Sequence, residues 1–282
     1  MKLANHGGRL ALVVDGGCID VADASAGRFG PDPASAYADW DALDEWAATA
    51  TGDVKPLDER SLGAPSPEPR QVFAIGLNYA SHAEESGMAL PEVPAVFTKY
   101  PASLGGPFEP IELSGEMVDW EVELVVVIGR HADRVVEADA WAHVAGLCVG
   151  QDVSDRKVQF AAGAQFSLGK SYRSYGPTGP WLVTLDELDD PGDLALGCSI
   201  DGETVQEDRT TGLVFDIPRL IVELSAVVPL LPGDLIFTGT PAGVGITRQP
   251  PRFLKEGEVV ESWIEGIGTI RNTVIAPSEV PW

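Results

Sequence analysis

Short runs of apolar residues, separated by turn-forming residues, dominate the chain from Val72 onward. The runs are rich in β-branched residues and are bounded by glycine, proline or Asp-Gly, as is typical of strands. They cover Val72–Ile75, Leu124–Ile128, Ala145–Gln151, Leu182–Thr184, Cys198–Val205, Leu235–Thr238 and Val259–Ile264. One amphipathic helix interrupts them at Ile217–Ala226, with Asp216 before it and Pro218 in its first turn. The pattern predicts a β-rich α+β fold.

The first 65 residues have a different pattern. Two short strands are predicted at Arg9–Val14 and Cys18–Val21, and an acidic helical segment follows at Ser35–Ala48. The segment Ala64–Arg70 contains three prolines and has the composition of a linker. We therefore predict a small N-terminal α/β domain at residues 1–65 and a main domain at residues 66–282.

The segment Asp119–Gly129 combines a strand pattern with three acidic residues. Alternate side chains of a strand share a face, so Asp119, Glu121 and Glu123 are predicted to project together. Carboxylates two residues apart are separated by roughly 6.6 Å along a strand. They can lean onto one cation with bonds of roughly 2.1 Å. The alternative is a solvated acidic face.

A further carboxylate, Asp152, follows the apolar run that ends at Gln151. A third carboxylate from a second strand would complete an oxygen-rich site, which Mg²⁺ and Mn²⁺ prefer. The alternative for Asp152 alone is a helix N-cap or a turn residue.

A short helical turn is predicted around His82. Ser81 and Glu84 have the spacing of a capping box, and Gly87 provides a stop. His82 and Glu85 are three residues apart and share a face of this helix. Glu85 can orient the imidazole, which gives a general-base dyad able to activate water. The alternative is a capped surface helix.

Two glycine-containing loops are also candidates for chemistry. Lys170, between Gly169 and Ser171, can pair with an anionic substrate or with a developing enolate. The segment Pro232–Gly245 predicts a strand followed by a loop, where Thr240 and backbone N–H groups can hold a carboxylate. The alternatives are a solvated lysine and a plain sharp turn.

The charge of the chain excludes several classes of partner. The sequence of 282 residues contains 43 acidic and 19 basic residues, for a formal net charge of −24. Nucleic acid and anionic membrane surfaces are therefore not expected partners. The three cysteines lie far apart without a C-x-x-C motif, so neither a disulfide framework nor a thiolate zinc site is indicated. No signal pattern or membrane-length apolar run is present, and a cytoplasmic location is expected.

Taken together and in this order, these motifs resemble the fumarylacetoacetate hydrolase family over about residues 70–276. Each motif is weak alone, but the ordered set is specific. The motifs are Gly76–Tyr79 with His82 and Glu85, Pro94–Lys99, Asp119–Leu124, Gln151–Ser154 with Arg156 and Gln159, Gly169–Ser171 with Gly179–Pro180, and Pro232–Gly245. The resemblance implies a mixed β roll, usually a homodimer, with a small N-terminal domain.

The resemblance also implies roles for nine residues. The implied ligands of Mg²⁺ or Mn²⁺ are Glu121, Glu123 and Asp152. The implied catalytic dyad is His82 and Glu85, on a lid. The residues implied to surround the end of a small anionic 2-oxo acid are Arg156, Gln159, Lys170 and Thr240. We also predict a catalytic role for Lys170, because its ammonium can offset charge on an oxyanion. The chain departs from the family at Lys157 and Arg173, and Arg173 would read a second anionic group only if it faced the cavity.

A site of this kind supports several reactions through one enolate intermediate. We favour hydrolysis of the C3–C4 bond of acylpyruvates, because hydrolysis needs a water activator and His82 and Glu85 are both present. Decarboxylation of oxaloacetate and isomerisation of 2-hydroxyhepta-2,4-diene-1,7-dioate are the alternatives on the same site. A non-catalytic metal-binding protein with this fold is the alternative from another class.

Overall fold

The structure, a computed structural model, describes residues 1–277. Its α-helices are α1 (Val21–Ala24), α2 (Trp40–Ala47), α3 (Ala80–Glu85), α4 (Arg156–Gln159) and α5 (Ile217–Ser225). Its strands are β1 (Lys2–His6), β2 (Arg9–Val14), β3 (Gly17–Asp20), β4 (Val54–Lys55), β5 (Leu62–Gly63), β6 (Val72–Gly76), β7 (Ala95–Thr98), β8 (Leu104–Gly105), β9 (Ile111–Glu112), β10 (Val118–Asp119), β11 (Val122–Ile128), β12 (Val144–Gln151), β13 (Ser154–Asp155), β14 (Gly176–Val183), β15 (Ala195–Ile200), β16 (Glu203–Arg209), β17 (Leu235–Phe237), β18 (Val259–Ile264) and β19 (Gly268–Ile275). Short 3-10 segments lie at Pro33–Asp39, Glu59–Ser61, Pro101–Ser103, Glu137–His143, Leu185–Glu187 and Thr210–Gly212.

A large mixed sheet forms the centre of the molecule. Its order is β4-β3-β2-β1-β14-β12-β11-β17-β6-β7, with β5 beside β1 and β8 beside β14. Most neighbours are antiparallel, but β17 and β6 are parallel, as are β14 and β8. The N-terminal strands join this sheet through β1, which pairs with β14 so that Lys2 lies opposite Val183. The carboxyl end of β12 and the start of β11 therefore meet in the middle of the sheet.

A second sheet packs over the first and encloses the core. Its order is β16-β15-β18-β19-β9, and β10 and β13 form a separate pair. Strand β11 is buried on both faces, because Val122, Leu124 and Val126 join the larger apolar core while Val125 and Val127 join the smaller one. A strand buried on both faces is held rigidly, and this rigidity positions the acidic residues at its start.

The sequence predicted the elements with the clearest patterns. Strands β2 and β18 have the predicted bounds, and α5 begins as expected after Asp216, whose side chain accepts a hydrogen bond from the backbone N–H of Arg219. Strands β1, β7 and β19 were not predicted, and β14 begins several residues before Leu182. The predicted β-rich α+β class, with mixed β sheets, is confirmed.

The predicted strand at Asp119–Gly129 is interrupted. It divides into β10 and β11, because the backbone N–H groups of Glu121 and Val122 donate to the side chains of Gln151 and Gln206 (2.8 and 2.9 Å) and not to a neighbouring strand. The predicted alternation still holds, since Trp120 points into the core and Glu121 points away from it.

Two further observations concern the cysteines and the helices. Cys18, Cys148 and Cys198 are buried free thiols. Across residues 1–277, no helix has both the length and the apolar character needed to cross a membrane.

Candidate active site

Three buried carboxylates meet where β11 begins and β12 ends. Ligand oxygens of Glu121, Glu123 and Asp152 all lie within 4.8 Å of one another. The backbone N–H of Asp152 donates to the carbonyl of Glu121 (2.9 Å), which ties the two segments together. The backbone N–H of Gly239 donates to Glu123 Oε2 (2.8 Å). The structure thus brings together the three residues that the sequence singled out as metal ligands.

Two buried lysines contact this cluster. Lys170 Nζ lies 2.7 Å from Glu121 Oε2 and 2.7 Å from Asp152 Oδ2. Lys99 Nζ lies 2.7 Å from Asp152 Oδ1 and also donates to the backbone carbonyl of Lys170. Burial lowers the pKa of Lys99, although the adjacent Asp152 opposes this shift. Sequence reasoning assigned no role to Lys99; its only signal was that lysine is rare in this chain.

Arg156 opens α4 and is held by acidic residues on the neighbouring segments. Its Nε lies 2.6 Å from Asp119 Oδ1 and its Nη2 lies 2.7 Å from Glu121 Oε1. Its Nη1 donates to Gln159 Oε1 (2.9 Å). Asp119 therefore anchors Arg156 and does not join the other acids of its strand in the carboxylate cluster, although the sequence placed all three on one face. Asp119 also accepts from the backbone N–H of Ile246 (2.8 Å).

The charges of the site fit a divalent cation. When all are ionised, four buried carboxylates exceed three buried cations by one negative charge, which a divalent cation would offset. Burial, together with the neighbouring Asp152 and Glu121, raises the pKa of Glu123 well above its ordinary value. Burial also opposes ionisation of Glu121, but Lys170 and Arg156 outweigh it and lower the pKa of Glu121 to about 2. Within residues 1–277, Glu123 has no cationic side chain at ion-pair distance. An all-oxygen donor set with spare negative charge suits Mg²⁺ or Mn²⁺.

His82 and Glu85 form a hydrogen-bonded pair on α3. His82 Nδ1 lies 2.8 Å from Glu85 Oε1. Glu85 Oε2 accepts from the backbone N–H of Gly243 (2.9 Å) and from Thr247 Oγ1 (3.0 Å). Burial opposes ionisation of Glu85, but the hydrogen bonds from His82 and Gly243 outweigh it and lower the pKa of Glu85. A carboxylate at this position makes Nδ1 the protonated nitrogen of a neutral ring, which leaves Nε2 as a proton acceptor.

The capping box predicted at Ser81 and Glu84 is wrong. The residue before α3 is Tyr79, and no side chain caps this helix. Ser81 Oγ instead donates to Asp208 Oδ2 (3.0 Å) on β16, 127 residues away in the chain. The predicted stop at Gly87 is confirmed, since its φ is +65°, a conformation that glycine adopts readily.

The glycine-rich loop after β17 binds carboxylates of the protein itself. The N–H groups of Gly239 and Gly243 donate to Glu123 and Glu85, so they do not form a nest for a substrate carboxylate. Thr240 Oγ1 donates to the carbonyl of Val122 (2.9 Å) and accepts from Gln206 Nε2 (2.8 Å). The loop thus links the carboxylate cluster to the dyad.

The end of β6 carries a strained residue beside the site. Leu77 has a φ of +54°, which is rare for a residue with a branched side chain, and its side chain lines the site cavity. The next residue, Asn78, is anchored by its side chain: its Nδ2 donates to the carbonyls of Phe215 (3.0 Å) and Thr238 (2.7 Å), and its Oδ1 accepts from the N–H of Phe215. Asn78 belongs to the motif Gly76–Tyr79, but no local pattern indicates these contacts.

A cavity of about 90 Å³ lies between the dyad and the cluster. The polar residues lining it are His82, Ser86, Glu121, Arg156, Gln159, Lys170 and Thr240. Glu85 lies behind His82, while Glu123 and Asp152 lie behind Glu121 and Lys170. All nine residues singled out from the sequence therefore belong to one site. Arg173 is exposed and does not line this cavity, so it gives no evidence for a second anionic group.

We expect Thr247→Val to lower kcat/KM about tenfold, because the isosteric change removes one of the donors that hold Glu85. Steady-state kinetics with any compound that the protein turns over would measure the effect. Thr247→Ser keeps the hydroxyl and should retain most of the activity. Equal activity in Thr247→Val and the wild type would show that Glu85 does not need this hydrogen bond.

We expect Lys99→Met to destabilise the metal-free protein by about 3 kcal/mol, because it leaves the fully buried Asp152 with fewer cationic partners. Chemical denaturation in EDTA would measure the loss. Mg²⁺ should stabilise the variant more than the wild type, since the cation would offset the negative charge that the loss of Lys99 leaves unpaired. Lys157→Met changes an exposed lysine and should behave like the wild type.

Comparison with known proteins identifies the class to which this fold and site belong. Residues 71–275 match the family model described as fumarylacetoacetate (FAA) hydrolase C-terminal. The chain therefore belongs to the fumarylacetoacetate hydrolase family, and it is an enzyme of that family.

Three relatives illustrate the range of the family. A crystal structure of a putative HpcE protein from Mycobacterium smegmatis is 50% identical, with a TM-score of 0.95, covering 99% of this chain and 100% of that one. The mitochondrial oxaloacetate tautomerase Fahd2a of Rattus norvegicus is 43% identical over 222 residues, 78% of this chain and 71% of that protein. Maleylpyruvate hydrolase from Sphingobium sp. SYK-6, in complex with manganese(II) and pyruvate, is 27% identical, with a TM-score of 0.79, covering 99% of this chain and 100% of that one.

Proposed function

We propose that this protein is a divalent-metal-dependent hydrolase that cleaves the C3–C4 bond of acylpyruvate-type 2-oxo acids. The observation that carries the proposal is the placement of a His–Glu dyad and a buried carboxylate cluster around one cavity. The cluster suits a cation able to chelate a 2-oxo acid. The dyad suits the activation of a water molecule next to it.

The ligands of the proposed Mg²⁺ or Mn²⁺ are Glu121, Glu123 and Asp152. When bound, the cation would act as a Lewis acid toward the carboxylate and keto oxygens of the substrate. The cation bound to maleylpyruvate hydrolase supports this assignment, because that relative holds manganese(II) together with pyruvate.

The protein's own groups would move the protons. His82 Nε2 accepts a proton from water, whose oxygen attacks the C4 carbonyl, and Glu85 stabilises the resulting imidazolium. The C3–C4 bond then breaks, its electron pair forms the enolate over C2 and C3, and the acyl group leaves as a carboxylic acid. The His82 imidazolium then gives its proton to C3, which yields pyruvate and restores the neutral ring. The ammonium of Lys170, which lines the cavity, offsets the negative charge of the oxyanion.

Keto–enol tautomerisation of a 2-oxo acid is the second candidate. The similarity to the oxaloacetate tautomerase of Rattus norvegicus favours it. The same dyad would transfer a proton to or from C3, and no water would attack C4. Decarboxylation of oxaloacetate and isomerisation of 2-hydroxyhepta-2,4-diene-1,7-dioate would use the same enolate.

A small substrate panel separates these reactions. The substrates are acetylpyruvate, fumarylpyruvate, oxaloacetate and 2-hydroxyhepta-2,4-diene-1,7-dioate, each with Mg²⁺, with Mn²⁺ and with EDTA. Metal-dependent release of pyruvate from an acylpyruvate would support hydrolysis. Interconversion of keto and enol forms of oxaloacetate without pyruvate release would support the second candidate. Metal binding without turnover of any compound would favour the non-catalytic alternative.

Three other predictions from the sequence belong to this proposal. We propose a homodimer, a cytoplasmic location, and an organisation into residues 1–65 and 66–282. Light scattering after size-exclusion chromatography would test the dimer. Limited proteolysis would test the division: early cutting within Ala64–Arg70 would support two units, whereas protection there, as expected from the burial of Ala64 and Ser66, would indicate one continuous fold.

A further inference from the structure

The cavity has a polar inner end and an apolar outer wall. Its inner end carries Lys170, Arg156 and His82. Its outer wall is formed by four large apolar side chains, Met88, Phe97, Phe160 and Phe166. Two of these are notably exposed at the mouth, Met88 at 52% and Phe160 at 48%.

The aromatic residues form a continuous path away from the polar end. Lys170 Nζ lies 5.3 Å from the centre of the Phe97 ring. The Phe97 and Phe166 ring centres are 5.9 Å apart, and those of Phe166 and Phe160 are also 5.9 Å apart, both edge-to-face. A chain that leaves the polar end along this wall therefore contacts aromatic carbon until it reaches solvent.

The cations of the cavity are already paired. Among the described residues, the lysine and arginine side chains that line the cavity are Lys170 and Arg156. Lys170 contacts two carboxylates and Arg156 contacts two. A second carboxylate on the substrate would have to lose its hydrating water beside the aromatic wall. Neither Lys170 nor Arg156 is free to pair with it there, so its desolvation is unfavourable.

We propose that the acyl group of the substrate is apolar, an alkyl or aryl chain, and that the enzyme discriminates against acylpyruvates with a second carboxylate. This inference rests on the proposed function, because it takes the 2-oxo acid to bind at the polar end. The aromatic wall then determines specificity for the rest of the molecule.

The test compares two substrates of matched shape, 4-methylpentanoylpyruvate and succinylpyruvate. The first ends in an isopropyl group where the second ends in a carboxylate. We expect kcat/KM with Mg²⁺ to be about tenfold or more higher for 4-methylpentanoylpyruvate. Equal values, or a preference for succinylpyruvate, would overturn the inference.

Variants at Phe160 test the wall itself. Phe160→Arg places a cation at the mouth and should raise kcat/KM for succinylpyruvate by up to about fivefold, the scale of one exposed ion pair, while lowering it for the apolar substrate. Phe160→Leu keeps an apolar side chain and should preserve the wild-type preference. An unchanged preference in Phe160→Arg would contradict the role of this residue, and thermal melting would confirm that both variants fold.

Acetylpyruvate distinguishes a failure of the proposed hydrolase function from a failure of the proposed specificity. Its methyl group is too small to depend on the wall, so its cleavage reports the proposed function alone. Cleavage of acetylpyruvate together with a preference for succinylpyruvate would overturn only the specificity. Absence of acetylpyruvate cleavage and of pyruvate release from either longer substrate would overturn the hydrolase proposal as well.

Discussion

We expect His82→Ala to lower kcat for acylpyruvate cleavage by about 100- to 10,000-fold, the usual contribution of a positioned general base. His82 presents its ring to the cavity while Glu85 holds Nδ1 at 2.8 Å. Alanine removes the proposed proton acceptor and leaves the carboxylate cluster intact. The measurement is the rate of pyruvate release with saturating Mg²⁺.

Two variants on the same helix give matched controls for this experiment. Glu85→Gln should lose less activity than His82→Ala, since the imidazole remains but is no longer held by a carboxylate. Glu84→Gln changes an exposed neighbour and should leave kcat unchanged. Calorimetric Mg²⁺ binding should be similar in all three. Near wild-type cleavage by His82→Ala would show that another group activates the water.

The second large effect is expected for Glu123→Gln. This variant should bind Mg²⁺ about 100-fold more weakly or worse, because it removes one of the three proposed carboxylate ligands. Activity at limiting Mg²⁺ should fall below detection, and excess metal should restore only part of it. Titration calorimetry and activity over a range of Mg²⁺ concentrations would measure both effects.

The thermal stability of this variant gives an independent readout. Glu123 is buried beside two other carboxylates, so its neutral replacement should not destabilise the protein in EDTA. Mg²⁺ should raise the melting temperature of the wild type but not of the variant. Glu207→Gln, an exposed acid on β16, is the control and should respond to Mg²⁺ like the wild type. A normal Mg²⁺ response in Glu123→Gln would remove it from the ligand set.

Much of the fold and the site could be predicted from local pattern. Strand β18 alternates between half-buried and buried positions, and its period of two is visible in the sequence. Helix α5 carries its own start signals, Asp216 and Pro218. Glu121 and Glu123 could be paired because the period of a strand places them on one face.

The features that were missed depend on contacts between distant residues. Ser81 has the spacing of a helix cap, but its hydroxyl donates a hydrogen bond to Asp208 on β16. The strand through Trp120 breaks because the side chains of Gln151 and Gln206 satisfy its backbone N–H groups. No local pattern reveals such partners, since each is defined by how the two sheets pack.

Lys99 was missed for a similar reason. A lysine at the end of a short strand is normally solvated, and only the fold shows that this one is fully enclosed and faces Asp152. The positive φ of Leu77 is hidden in the same way, because leucine seldom adopts it unless the surrounding structure imposes it.

The loop after β17 fixes the dimensions of the reaction centre with main-chain atoms. The N–H of Gly239 donates to Glu123, a proposed metal ligand, and the N–H of Gly243 donates to Glu85 of the dyad. The φ values of these two glycines are +105° and +107°. A methyl group at Gly243 would lie 2.1 Å from the carbonyl of Val205, and one at Gly239 would lie 2.7 Å from Asn78 Cβ. Because these donors belong to the backbone, the spacing between the proposed cation site and the dyad does not depend on the side chains that the loop carries. Substitution of either glycine by a larger residue should therefore disturb the site.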